Sequence, residues 1–170
     1  DKELLRRLDD PTDGPNIREG ITTSLKTKRD GAAIYIARYA KNAGYIGKNV
    51  AEIAAMRQMS ATDVVLEIVR HGGAAVVNFS MDEEDVRQAM QLPWVATASD
   101  GRSYLPGGDR PHPRSYGTFP RKIGRYALKE GVLPVEQAIR SASGLPAEIL
   151  GLPERGLLQV GHFADVVVFD

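Results

Sequence analysis

Two short apolar runs, "AAVVNFS" at residues 74–80 and "WVATASD" at 94–100, flank the helix-patterned stretch "MDEEDVRQAMQL". Both runs are rich in small and β-branched residues and lack the strict alternation of a half-exposed strand, so they read as strands buried on both faces. Four acids crowd the start of the intervening helix, where they complement the positive end of its dipole, and Pro93 blocks its continuation. Strand, helix, strand, and then the helical patterns "RKIGRYALKEG" and "LPVEQAIRSASG" argue for βα units and a parallel sheet.

Upstream, residues 1–9 suit a short helix broken by "DDPTDGP", and Ile21, Thr22 and Thr23 allow a strand within a stretch of weak periodicity. The apolar density of "GAAIYIARYA" fits either a strand or a short buried helix. "GKNVAEIAAMRQMS" reads as a helix with Val50, Ile53, Ala54 and Met56 inward. "SATDVVLEIVRHGG" reads as another, capped by Ser60 with Asp63 at the capping-box position and ended by Gly72 and Gly73. In "LPVEQAIRSASG", Val135, Ala138, Ile139 and Ala142 share a face and Gly144 is the expected stop. "LPAEILGL" makes a helical turn, and "GLLQVGHFADVVVFD" reads as two strands joined at Gly161. The chain opens inside an amphipathic pattern and stops on an unpaired strand, which suggests a segment of a longer protein.

Composition removes several function classes. Cysteine is absent, which excludes disulfides, thiolate zinc sites and cysteine nucleophiles and fits a cytoplasmic setting. The 22 basic and 22 acidic residues balance, so no global field favours nucleic acid or an anionic membrane. No apolar run approaches the roughly 20 residues of a membrane span.

Asp100, which closes the run "VATASD", is the main candidate for chemistry, because ligands of parallel α/β folds bind beyond the carboxyl ends of the strands. The competing reading is a turn aspartate, since Asp-Gly is a common turn pair. In the following loop, "GGDRPHPRSYGTFPR", Arg114 and Arg121 stand in a frame of Pro and Gly. They either grip a carboxylate or solvate a surface loop. His71, His112 and His162 are scattered without ligand spacing, so these residues encode no complete transition-metal site. Ser99-Asp100-Gly101 is no nucleophile elbow, and "LPGGDR" lacks the Lys-Ser/Thr of a P-loop.

Taken together, "FSMDEEDVRQAMQLPWVATASDG", "PHPRSYGTFPRKIGRYALKEG", "PVEQAIRSASGLPAEILGL" and "GHFADVVVFD" resemble the N-acyl-D-amino-acid deacylases (D-aminoacylases) of the amidohydrolase superfamily, over about residues 34–170. The resemblance implies an α/β fold: the last βα units of a (β/α)8 (TIM) barrel of metal-dependent hydrolase type, with a helical insertion and a C-terminal β-sandwich strand. It divides the chain into a barrel segment at 1–43, a lid-like helical insertion at 44–73, the last two barrel strands with the active-site loop and helices at 74–156, and the return to a β-sandwich at 157–170.

The implied activity is zinc-dependent cleavage of the amide of N-acyl-D-amino acids to a carboxylate and a D-amino acid. On this resemblance Asp100 contacts the metal centre and takes the proton of the attacking water, whose pKa zinc lowers from about 15.7 towards roughly 7. Arg114 corresponds to the arginine that binds the substrate α-carboxylate, and Met81 to a pocket residue near the substrate side chain. At "GYIGK" the family often has a serine where this chain has Ile46. The family's remaining ligands, an H-x-H pair, a Cys or Glu, and two middle-strand histidines, are not in these residues. The expectation is therefore a zinc enzyme in the full-length parent and no cofactor and no activity in this chain alone. Partners are expected to be a small-molecule N-acyl-amino-acid substrate, no nucleic acid, no membrane, and other copies of the chain through exposed barrel edges. The alternatives are a cyclic-amide amidohydrolase of dihydroorotase or hydantoinase type, and a non-catalytic carboxylate-binding or assembly module.

Overall fold

The computed structural model describes residues 2–105, 107 and 110–169. The chain forms two compact units, Asp1–Ser80 with Leu105–His112, and Met81–Tyr104 with Pro113–Asp170. Gly108 of "LPGGDR" lies outside the described residues. Among the described residues no helix is long and apolar enough to cross a membrane.

The first unit begins with helices α1 (Lys2–Asp9) and α2 (Asp13–Lys26). Between them the Asp10 carboxylate accepts from the backbone N–H groups of Thr12 and Asp13, at 2.8 and 2.9 Å, and so turns the chain at the predicted break. Strand β1 (Ile34–Arg38) pairs antiparallel with β2 (Ala75–Asn78), with Tyr35 opposite Val77 and an irregularity between Ile36 and Arg38. On the other edge of β1, Ile36 N–H donates to Lys48 O at 2.9 Å and Gly47 N–H to Ile36 O at 2.8 Å. Arg110 N–H then donates to Ala37 O at 2.9 Å, which ties the segment Leu105–His112 to this edge.

Helices α3 (Val50–Arg57) and α4 (Ala61–Arg70) cover the sheet. Asn49 and Glu52 form a reciprocal capping box on α3, and Ser60 caps α4 by accepting from Asp63 N–H at 3.0 Å. Gly72 and Gly73, with φ of +94° and +79°, release the chain after α4. Ile36, Tyr45, Val50, Ile53, Val64 and Ile68 form the core of this unit. Full burial of such side chains stabilises by about 1.5–3 kcal/mol each.

In the second unit α5 (Glu83–Gln91) is capped by Asp82, whose carboxylate accepts from Glu84 N–H at 2.7 Å. Helix α6 (Arg114–Pro120) runs directly into a π-helical segment, Arg121–Lys129. The wider turn persists to its end, where Glu130 N–H donates to Arg125 O, five residues back, at 2.9 Å. Helices α7 (Val135–Ala142) and α8 (Gly144–Ile149) follow. Tyr126, Ala127, Leu133 and Ala138 are the buried centre, with Val86 and Met90 of α5 packed against them.

Several expectations are corrected. Residues 21–23 are helical within α2, because the helix gains a tertiary face at Leu25 that outweighs weak β-propensity. Among the described residues the two strands pair antiparallel rather than parallel. Residues 94–100 form no ladder, and neither do residues 157–169, because a strand is a property of a pair and no described segment pairs with either. Met56 and Ile139 face solvent rather than the core. Gly144 opens α8 instead of ending the helical region, the break falling at Ser143 with φ −133° and ψ −76°.

Candidate functional site

The run "VATASD" ends on a backbone that few side chains adopt. Asp100 has φ +47°, in the left-handed region that aspartate tolerates better than most residues. Beside it Ser99 Oγ accepts from Gly101 N–H at 3.1 Å, closing a tight local turn. Gly101 then passes so close to α6 that an added Cβ would sit 2.9 Å from Ser115 Cα and 3.3 Å from Arg114 O. Only glycine permits that approach.

This contact brings the two principal predicted residues together. Arg114 Nη1 lies 2.9 Å from Asp100 Oδ2, with the aspartate side chain 84% exposed and the arginine 44%. Arg102 N–H donates to Ser115 Oγ at 3.4 Å and Tyr116 Oη donates to Tyr104 O at 2.9 Å, so residues 99–104 lie along the start of α6. A shallow cleft of about 400 Å³ opens between these two segments. It is lined by Ser99, Arg102, Ser103, Tyr104, Ser115 and Tyr116, so it offers hydroxyls and the Arg102 guanidinium to a small polar ligand, and Asp100 and Arg114 are not among its lining residues. Asp-Gly thus makes the turn that one reading of the dipeptide expected, and it leaves the Asp100 carboxylate exposed beside Arg114.

The other predicted site residues fall elsewhere. Met81 is 83% exposed in the segment before α5, and no described contact joins it to Asp100 or Arg114. Ile46 follows a short turn at Ala43–Tyr45 in the first unit. His71 ends α4, with Nδ1 2.8 Å from Glu67 O, a helix-terminal role. Arg121 packs its guanidinium 5.5 Å from the centre of the Tyr126 ring, in company with Arg87 and Arg125 at 5.5 and 5.3 Å. Glu83, one of the four acids expected only to complement the α5 dipole, also accepts from Tyr126 Oη at 2.8 Å. Glu130, bonded by Arg125 and Arg87, has its carboxyl held below the usual carboxylate range by those two guanidinium groups.

One site element escaped the sequence reading. Lys122 is 4% exposed, and its Nζ donates to Thr97 Oγ1 at 2.6 Å and Ser141 Oγ at 2.7 Å. Burial pushes its ammonium below the ordinary lysine range. The available signal was its place one residue before Ile123 and four before Tyr126, on the apolar side of a helical pattern.

Among the described residues no group of three or more His, Cys, Asp or Glu is arranged to hold a metal ion. Asp100 supplies one carboxylate, short of the three or four donors a zinc site takes, so these residues do not by themselves fit the metal.

Residues 8–170 match the amidohydrolase family, and the chain belongs to it. Within that family it is similar to a D-aminoacylase of Alcaligenes xylosoxydans xylosoxydans, 45% identical over 124 residues that cover 73% of this chain and 24% of the relative. A solved D-aminoacylase superposes with a TM-score of 0.67 at 39% identity, over 83% of this chain and 29% of that one. The N-acyl-D-glutamate deacylase of Bordetella bronchiseptica, solved with zinc and a phosphonate mimic of the tetrahedral intermediate, gives a TM-score of 0.69 at 35% identity, over 82% and 28%. The chain spans about a quarter of the length of the curated relative it matches.

Proposed function

We propose that this chain is the catalytic-acid-bearing portion of a zinc-dependent amidohydrolase that cleaves N-acyl-D-amino acids to a carboxylate and a D-amino acid. The observation that supports the reading is the pairing of Asp100 with Arg114, in a chain of which 124 residues are 45% identical to a D-aminoacylase. Asp100 is the group that accepts a proton at Oδ1 or Oδ2 during attack on the amide and returns it to the leaving nitrogen. Arg114 binds the substrate α-carboxylate, which displaces Asp100 from the guanidinium and frees the acid for its task. Met81 lines the pocket for the substrate side chain. In a longer protein zinc would supply Lewis-acid activation of the attacked amide, and of the residues in this chain Asp100 would be one oxygen donor to it.

The finer architecture belongs to the same reading. Residues 1–43 form a barrel segment, 44–73 a helical lid, 74–156 the last two barrel strands with their loop and helices, and 157–170 the return to a β-sandwich. Support comes from the apolar side chains that the unpaired runs expose: Trp94, Val160, which is fully exposed, Val167 and Val168. Such surface calls for a cover, supplied by the rest of a barrel or, in the isolated chain, by self-association. The setting is cytoplasmic and the partner a small molecule rather than nucleic acid or membrane, in keeping with a charge balance of zero.

The 170-residue chain, purified with zinc and offered N-acyl-D-amino acids, is expected to hold no stoichiometric metal and to turn over nothing. Turnover that disappears in Asp100→Asn would overturn its inactivity as an isolated portion.

A further inference from the structure

The segment that ends in Asp100 has few backbone anchors. Along residues 94–100, one described backbone bond reaches another element, Thr97 N–H to Ser141 O in α7 at 2.7 Å. The same threonine is held through its side chain: Lys122 donates to Thr97 Oγ1 and to Ser141 Oγ, Thr97 Oγ1 lies 3.3 Å from Ser141 Oγ, and Ser141 Oγ donates onward to Ala138 O at 2.9 Å. Lys122 therefore links the π segment, the Asp100-bearing run and α7 at one point.

A lysine is a costly choice for such a place. Among the described residues no ion pair includes Lys122, and its acceptors are neutral hydroxyls. Burying an amine of this kind is unfavourable against an apolar side chain of similar volume. What the amine offers that methionine does not is two directed bonds to oxygens on different elements. Thr97 stands three residues from Asp100, about 10 Å of extended chain, so fixing Thr97 limits where the carboxylate can travel.

We propose that Lys122 is a positioning residue that clamps Thr97 to Ser141 and thereby sets the place of Asp100. This assignment rests on the role given to Asp100 above. Lys122 does not touch the reacting atoms; it acts through the segment that carries them.

The test is amide hydrogen exchange in the 170-residue chain, followed at Thr97 and, as references, at Val132 and Ala138, whose N–H groups donate to Tyr126 O and Pro134 O. In Lys122→Met, exchange at Thr97 is expected to quicken by about tenfold or more, with the two references unchanged and the unfolding midpoint equal or higher. Thr97→Val, which keeps the shape and removes the acceptor, is expected to loosen the same amide. Unchanged exchange at Thr97 in either variant overturns the proposal, and so does a parallel loss at all three amides, which would mark Lys122 as a general stabiliser. Exchange is read without substrate, so failure of the deacylase reading would leave this result standing.

Discussion

Arg114 and Asp100 meet through a contact set by their neighbours: Gly101 lies against Ser115, and the residues preceding each of these carry the guanidinium and the carboxylate to 2.9 Å. The pair is exposed, and solvent screening leaves such a bridge about 0–1 kcal/mol. The bridge therefore adds little to stability, and its proposed value is chemical. Arg114→Ala should therefore lower the unfolding free energy of the chain by less than about 1 kcal/mol in a denaturant titration. In the longer protein the same change should raise KM about tenfold or more, the loss of a hydrogen-bonded charge partner. Asp100→Asn should instead cut kcat about a hundredfold or more. A variant pair that affects both constants alike would remove the division of roles.

Gly101→Ala probes the close approach. An added Cβ would meet the backbone of Ser115, which cannot give way as a side chain can. The expected cost is about 1–3 kcal/mol in chemical denaturation, with the Arg102 to Ser115 bond lost. A neutral result would mean that the loop can move off α6 freely.

Lys122 makes a prediction about pH. Its folded pKa lies below the ordinary lysine value of 10.5, so the unfolded chain binds the proton more tightly. Stability should rise with pH through the window from the lowered folded value up to the ordinary one, and the cost of the buried charge is fully present below that window. Lys122→Met should lack this rise. Unfolding free energies of both proteins at several alkaline pH values would check it, and identical slopes would contradict it.

What was legible in the sequence was local. Ser60, Gly72 and Gly73 act at the ends of α4 as their types dictate, because a cap needs only its own backbone neighbours. Asp100 and Arg114, singled out in the sequence, pair with each other in the structure. What stayed hidden depends on partners remote in the chain. The same apolar character that predicted strands at 94–100 and 157–169 says nothing of what pairs with them. Ile139 was misassigned because an α-helical wheel gives a face but not which side of it another helix will cover. Lys122 was passed over since a lysine is assumed to be solvated, and its acceptors stand 25 and 19 residues away.

Leu105–His112 belongs with the first unit although its flanks belong with the second. Neither unit is therefore a continuous stretch of chain. A truncation after Ser80 would strip Ala37 O of the Arg110 donor, and one beginning at Met81 would carry that donor away from its acceptor. A protease nick in the loop would leave both fragments incomplete at the same place. No single cut through the chain therefore separates the two units, because Leu105–His112 belongs to the first and its flanks to the second.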